Sequence, residues 1–501
     1  MKNNNRTKNV MLNVIFGYIA QIGIFILSFV GRRIFLKYLS ADYLGINGLY
    51  SNILTILSLA ELGLDAAVVY SLYKPVAQND KTLIRSLLVY FKKIYYFLAF
   101  AIFALGLCII PFLPIIINSN LENFKLVIYY LVFLCNTVAS YFVAPKVALL
   151  SAYQQQRVYK VISLFSSFLL QLIYIIVLVT TKNYLIYIIS MLTVTIISNI
   201  ILTITCNKLY KDILVEGEMV VIDKNPIIER VKATFLYKIG AVLINSTDNI
   251  LISTLISTNA VGFYSNYYTV VNAVQSFIAI ITSSLISGIG NYAVTNKRND
   301  QVELFYSMLL FYNVIASIGF IGFCLLFNDF ISIWLGNDFL FSNDIVFVIS
   351  LNFYLTTAIT PVWMFREANG LFNQVKYLLF IRAILNILLS IVLGKIYGIF
   401  GIFLATAISL VLTNFWYEPR LMFSSFYDIK TSNYWKKQGK NFLSMILSFV
   451  VCYLLICNLK NSFLFFALKV GIVVIVTSLV FAVFNLKTEE LKKLKRCMKF
   501  N

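Results

Sequence analysis

The sequence predicts an all-α, polytopic membrane protein: about fourteen transmembrane helices, arranged as two six-helix bundles plus a C-terminal helix pair. Three observations carry that prediction. Of 501 residues, 60% are hydrophobic and 12% charged, where a soluble domain has about 45–50% and about 25%. Apolar runs of about 20 residues, the length a bilayer-spanning helix needs, recur from end to end. The basic residues gather in the short segments between those runs. A single soluble core stops growing beyond roughly 250–300 residues, so most of this apolar surface has lipid as its solvent.

The spans fall at about 10–31, 44–68, 88–117, 126–150, 161–181 and 184–206, then 233–256, 266–292, 303–327, 345–365, 375–395 and 397–418, with a last pair at 442–459 and 462–486. The first follows Lys2, Arg6 and Lys8 as a signal peptide would. It is longer than an h-region of about 7–15 residues, and no A-x-A site follows it, so it reads as an uncleaved span. The resulting organisation is a bundle over 1–206, a linker over 207–232, a second bundle over 233–418, a loop over 419–441, the extra pair over 442–486 and a basic tail over 487–501. The two longer loops have room for a short amphipathic helix, and none is long enough for a soluble domain.

Loop charge supports the count. With both ends cytoplasmic, the inner segments collect 30 Lys and Arg, and the outer ones hold only Arg32, Arg33, Lys37, Lys125, Lys182, Lys395 and Lys460. That asymmetry is the positive-inside bias of a cytoplasmic membrane. The same pattern explains the net charge of +20 as topology and argues against a nucleic-acid partner. The cluster Arg32, Arg33 and Lys37 breaks the bias.

Several chemistries are excluded. The chain has no His, which removes His triads, His metal sites and His proton relays. Its seven Cys are scattered without a C-x-x-C pair. There is no P-loop, no H-E-x-x-H and no Asp-x-Asp. No catalytic residue, metal site or cofactor is expected.

What remains is polar chemistry inside the membrane, where an ionisable group costs about 2.5–3.5 kcal/mol and is functional by default. Glu61 and Asp65, four residues apart near the inner end of the second span, lie on one helix face, and like charges there favour a shared proton. The seventh span carries Lys238, Asn245, Asp248 and Asn249, with Lys238, Asn245 and Asn249 forming one stripe. Arg382 lies inside the eleventh span, and Lys146 follows Pro145 near the inner end of the fourth. Arg366 and Lys376 flank an inner connection, where snorkelling explains them. Lys469 in the last span is a minor candidate for a cavity. A weak internal repeat accompanies these residues: Ser40-Ala41-Asp42-Tyr43-Leu44-Gly45 is similar to Ser257-Thr258-Asn259-Ala260-Val261-Gly262, each opening the second span of a six-span half.

The stretch Arg33-Ile34-Phe35-Leu36, followed by Tyr43-Leu44-Gly45-Ile46-Asn47-Gly48-Leu49 and Ile56-Leu57-Ser58-Leu59-Ala60-Glu61-Leu62-Gly63-Leu64, resembles polysaccharide repeat-unit flippases, and Phe330-Ile331-Ser332-Ile333-Trp334-Leu335-Gly336 matches an outer turn of the same family. These belong to the superfamily of multidrug extruders and lipid II flippases. The resemblance implies two bundles in a V with a cationic cavity. It also implies an undecaprenyl-diphosphate-linked oligosaccharide as cargo, a polysaccharide polymerase and glycosyltransferases as partners, and membrane lipids as surroundings. Arg32, Arg33, Lys146, Lys238 and Arg382 would then meet the diphosphate, with Glu61, Asp65, Asn245, Asp248 and Asn249 as coupling or cavity groups. The polymer served would be capsule, a teichoic-type polymer or O-antigen, in a bacterial cytoplasmic membrane. A cation-coupled antiporter of the same superfamily, which favours an acidic cavity, and a membrane polysaccharide polymerase are the alternatives.

Overall fold

The structure, a computed structural model, describes residues 21–492 apart from 62–63, 120, 215–219, 221–224, 296–297, 370, 372–373 and 460–461. The start of the first expected span and the basic tail from 493 lie outside the described residues. Among those described there is no strand, as the all-α reading requires. Contacts divide the chain into two compact units, Met1–Gly262 and Phe263–Asn501.

The first unit holds α1 (21–38), α2 (Ala41–Leu57), α3 (Leu64–Ala77), α4 (Lys81–Ile109), α5 (Leu113–Ile116), α6 (Asn123–Tyr141), α7 (Ala144–Ala152), α8 (Gln156–Thr181), α9 (Tyr184–Leu209), α10 (Lys211–Leu214) and α11 (Asn225–Leu255). Helix α12 (Thr258–Thr295) begins in this unit and continues into the second. The second unit continues with α13 (Arg298–Trp334), α14 (Asn343–Ala358), α15 (Thr360–Ala368), α16 (Lys376–Leu412), α17 (Asn414–Arg420), a π-helical turn (Leu421–Phe426), α18 (Ser432–Ile456) and α19 (Phe463–Phe484). Among the described residues nine stretches are long and apolar enough to cross a membrane.

One of the nine, Tyr377–Ser424, contains two of the expected spans. Inside α16, Gly398 adopts φ 62° and ψ −139°, a conformation that a Cβ strains. A Cβ on Gly401 would sit 2.0 Å from the Leu393 carbonyl oxygen, so the two arms double back at this turn. The expected boundary between 395 and 397 falls there. Elsewhere the helices outrun the apolar runs that predicted them. Helix α18 starts at Ser432, well before 442, so much of the expected loop over 419–441 is helical. The second span differs in kind. It is not one helix: α2 ends at Leu57 and a 3₁₀ turn covers Ser58–Glu61 before α3 starts at Leu64.

Apolar residues face both ways. In the second unit the core is centred on α13, whose Phe305, Leu309, Tyr312, Ala316 and Phe320 pack with Tyr354, Phe365, Phe423 and Tyr434. Of the apolar stretch of α13, 56% is buried, against 6% for α8. Phe97, Phe100, Phe165 and Leu454 are largely exposed, and a soluble monomer rarely sustains apolar exposure on that scale. Polar groups fasten the helices where water does not reach. Tyr50 donates to the Leu126 carbonyl at 2.7 Å. Tyr267 donates to Asn328 Oδ1 at 2.6 Å and accepts the Phe341 N–H at 2.9 Å. Lys469 of α19 pairs with Asp329 of α13 at 2.7 Å, which ties the final helix to its unit and accounts for a lysine so deep in an apolar run. At the water-facing start of α4, Asp80 caps the helix by accepting the Leu83 N–H and the Thr82 hydroxyl, which hold its carboxyl below the ordinary value.

The two similar hexapeptides meet. A Cβ on Gly45 would lie 2.0 Å from the Thr258 carbonyl oxygen, and one on Gly262 would lie 2.0 Å from the Ala41 carbonyl oxygen. The sixth residue of each hexapeptide therefore abuts the second residue of the other, backbone on backbone. Only glycine permits that approach. The turn leading into α12 is held besides by Thr258 N–H to the Asn118 carbonyl at 3.1 Å and by Ser253 to Thr258 at 2.9 Å. Alanine at Gly45 or Gly262 should lower the apparent melting temperature of the purified protein, at a cost of about 1–3 kcal/mol for an added methyl with nowhere to go. Gly439→Ala, where a Cβ meets nothing within 4 Å, should leave it unchanged or raise it. Equal melting for all three variants would show that the contact is not tight.

Candidate functional site

Two polar environments stand out, one in each unit. In the first unit a cavity of about 550 Å³ is lined by Glu61 and Asp65 together with hydroxyl and amide side chains. Helix α8 contributes Tyr159, Ser163, Ser166 and Ser167, and α9 contributes Thr195, Ser198 and Asn199. Spacings of three, four and seven residues place each set on one helix face. The wall is completed by Ser140 near the end of α6, by Ser151 at the far end of α7 and by apolar residues such as Val143, Val147 and Leu170. No lysine or arginine is among the lining residues.

Each carboxylate of the cavity has a tyrosine partner. The Tyr95 hydroxyl donates to Asp65 Oδ1, and the Tyr141 hydroxyl is hydrogen-bonded to Glu61. Glu61 reaches the cavity from the 3₁₀ turn Ser58–Glu61 and Asp65 from the first turn of α3, and not from one continuous helix face, as i and i+4 spacing implied. Such a site can accept hydrogen bonds from several donors at once, and can hold a proton or small cation between carboxylates and hydroxyls.

In the second unit the buried cluster is built on Glu418. Its Oε2 accepts from Arg366 Nη1 at 2.9 Å, and its Oε1 accepts from Asn414 Nδ2, one turn earlier on α17. Arg366 also approaches the half-exposed Glu367 at 3.5 Å. Arg382, 8% exposed, adds a second guanidinium that acts on Glu418 through space. The snorkelling expected of Arg366 is therefore corrected: α15 (Thr360–Ala368) turns the residue into the protein, where a buried acid receives it.

The remaining predicted residues are dispersed. Arg32 faces Tyr187 inside the first unit, while its neighbour Arg33 points outward and is exposed. Lys146, on α7, is half-buried near Lys92 and Cys206. Asp248 and Asn249 are half-buried on α11, and Asn249 lies opposite Gly48. Lys238 and Asn245 are on α11 as well, but their side chains lie outside the described residues. Sequence reasoning missed Glu418 and the hydroxyl stripes. The signals were present, as an acid four residues after Asn414 at a span's end and as Ser163-x-x-Ser166-Ser167 within an apolar run.

No protein-family model matches the chain, and no curated protein is similar to it in sequence. Solved structures are similar in fold. The fold is that of polytopic transporters. One similar structure is the lipid II flippase MurJ in an inward closed conformation, with a TM-score of 0.71 and 15% identity over 94% of this chain and 99% of that one. A multidrug resistance MATE family transporter of the MOP superfamily, inward-facing, gives 0.62 at 12% identity over 79% and 93%. A MOP superfamily transporter from Pyrococcus furiosus, with a binding pocket of reverse polarity, gives 0.52 at 12% over 80% and 94%.

Removing the acid at the centre of the second-unit cluster takes its buried partner from Arg366, and breaking a buried pair typically costs about 3–5 kcal/mol. Glu418→Gln should therefore lower the apparent melting temperature sharply, and Arg366→Met in the same chain should recover part of the loss. Absence of any recovery in the double variant would show that Glu418 does not balance Arg366.

Proposed function

We propose that this protein moves a polyprenyl-diphosphate-linked oligosaccharide repeat unit across the cytoplasmic membrane for a cell-surface polysaccharide. The observation that carries the reading is the fold likeness to a lipid flippase, which covers 94% of this chain and 99% of that one. The MATE likeness covers less of the chain. A diphosphate head group crossing a low-dielectric slab needs cations, and arginine forks suit it well. Buried Arg382 in the second unit, and Arg32, Lys146 and Lys238 in the first, are assigned to that path. Glu61 and Asp65, in a cavity free of lysine and arginine among its lining residues, are assigned to coupling through a proton or small cation. In its favour a cation-coupled small-molecule antiporter has one specific observation, the same acidic, hydroxyl-lined cavity.

Reconstituted vesicles carrying a fluorescent polyprenyl-diphosphate oligosaccharide discriminate the two. Wild-type protein should translocate the probe, and Arg382→Gln should slow it about ten- to a hundredfold, the equivalent of one charge-assisted contact of about 1.5–3 kcal/mol. Arg382→Lys should retain part of the rate, and Glu61→Gln with Asp65→Asn should abolish its dependence on an imposed proton or sodium gradient. Normal probe transport by Arg382→Gln sinks the cationic path. Gradient-driven efflux of cationic drugs without probe transport establishes the antiporter.

A further inference from the structure

Two lysines remote in sequence converge on one ring at an end of the first unit. Lys37 Nζ lies 5.7 Å, and Lys182 Nζ 5.4 Å, from the centroid of Tyr38. Lys37 belongs to the last turn of α1, while Lys182 ends α8 in the left-handed conformation, with φ 51°. Arg33, four residues before Lys37, shares its helix face. All three cations are exposed, and none forms a salt bridge among the described residues. Gathering like charges without a counter-ion is unfavourable, and the ring's negative face offsets only part of that. The helices that run into the α8–α9 turn are apolar and outward-facing: Ile176 and Val179 on one, Ile186 and Ile189 on the other, are exposed. An unneutralised cationic rim above an apolar wall fits an amphiphile with a phosphate head and acyl tails.

We propose that Lys37, Lys182 and Tyr38, with Arg33 beside them, form a binding site for an anionic glycerophospholipid. Its phosphate is bracketed by the two ammonium groups and its chains lie along α8 and α9. Loop charge assigns this end to the outer leaflet, and the site explains why cations persist there against the positive-inside bias. The proposal is independent of the cargo.

Native mass spectrometry and thermal-shift titration of the full-length protein test it. Phosphatidylglycerol should remain bound and raise the apparent melting temperature, and phosphatidylcholine should do neither. Lys37→Gln with Lys182→Gln should weaken phosphatidylglycerol binding at least about tenfold, and Lys37→Arg with Lys182→Arg should bind as wild type. Undiminished binding by the Gln pair, or equal binding of phosphatidylcholine, overturns the site. A photoactivatable phosphatidylglycerol tests the wild-type chain without any variant: label must fall within 33–38 and 181–183, and label only elsewhere also overturns it. Displacement of phosphatidylglycerol by a polyprenyl diphosphate of far higher affinity would transfer the site from phospholipid to cargo.

Discussion

Hydrocarbon offers no hydrogen bonds, and nearly everything in this structure follows from that. Backbone groups must be satisfied within the chain, which selects helices, and ionisable side chains must find partners or water. Lys469 finds Asp329, Arg366 finds Glu418, and Asp65 and Glu61 find tyrosine hydroxyls. Two helix breaks, at Ser58–Glu61 and between α6 and α7, each put a residue into the wall of the first unit's cavity, Glu61 from one and Val143 from the other. Freed backbone groups are tolerated beside polar neighbours or water.

The all-α, membrane-spanning character was legible because the lipid constraint acts on composition and length, which a single sequence displays. Even the reversal at Gly398 was visible, as a boundary between two apolar runs. Pairings across distant segments were not. Arg366 sits at the end of an apolar run, where snorkelling and burial look alike; only the placement of Glu418, fifty-two residues on, decides between them. Glu61 and Asp65 reached one cavity although no single helix aligns them, one from a 3₁₀ turn and the other from the start of α3. The hydroxyl stripes went unweighed because serine and threonine cost little in a helix whose carbonyls they can bond, as Ser151 does with the Val147 carbonyl at 2.9 Å.

The two polar environments differ in make-up, carboxylates among hydroxyls in one and guanidinium groups paired with carboxylates in the other, and the difference suits a division of labour. Carboxylates set among hydroxyls favour protons and small cations, whereas buried guanidinium groups favour phosphate. Under the proposed function the first would supply coupling and the second would meet the cargo. Their residence in different units lets each be altered without rebuilding the other.

The contact between the two hexapeptides has the form of an isologous interface, in which one surface meets its own copy. In a two-fold homodimer a single substitution strikes both halves of such a contact. Here both copies lie on one chain, so each half is free to change alone. That freedom has been used. Asp42 and Tyr43 in one hexapeptide stand where the other has Asn259 and Ala260, while the two glycines, which alone admit the crossing of the chains, are the same in both. Symmetry survives in the backbone at the point of closest approach and has lapsed in the side chains around it.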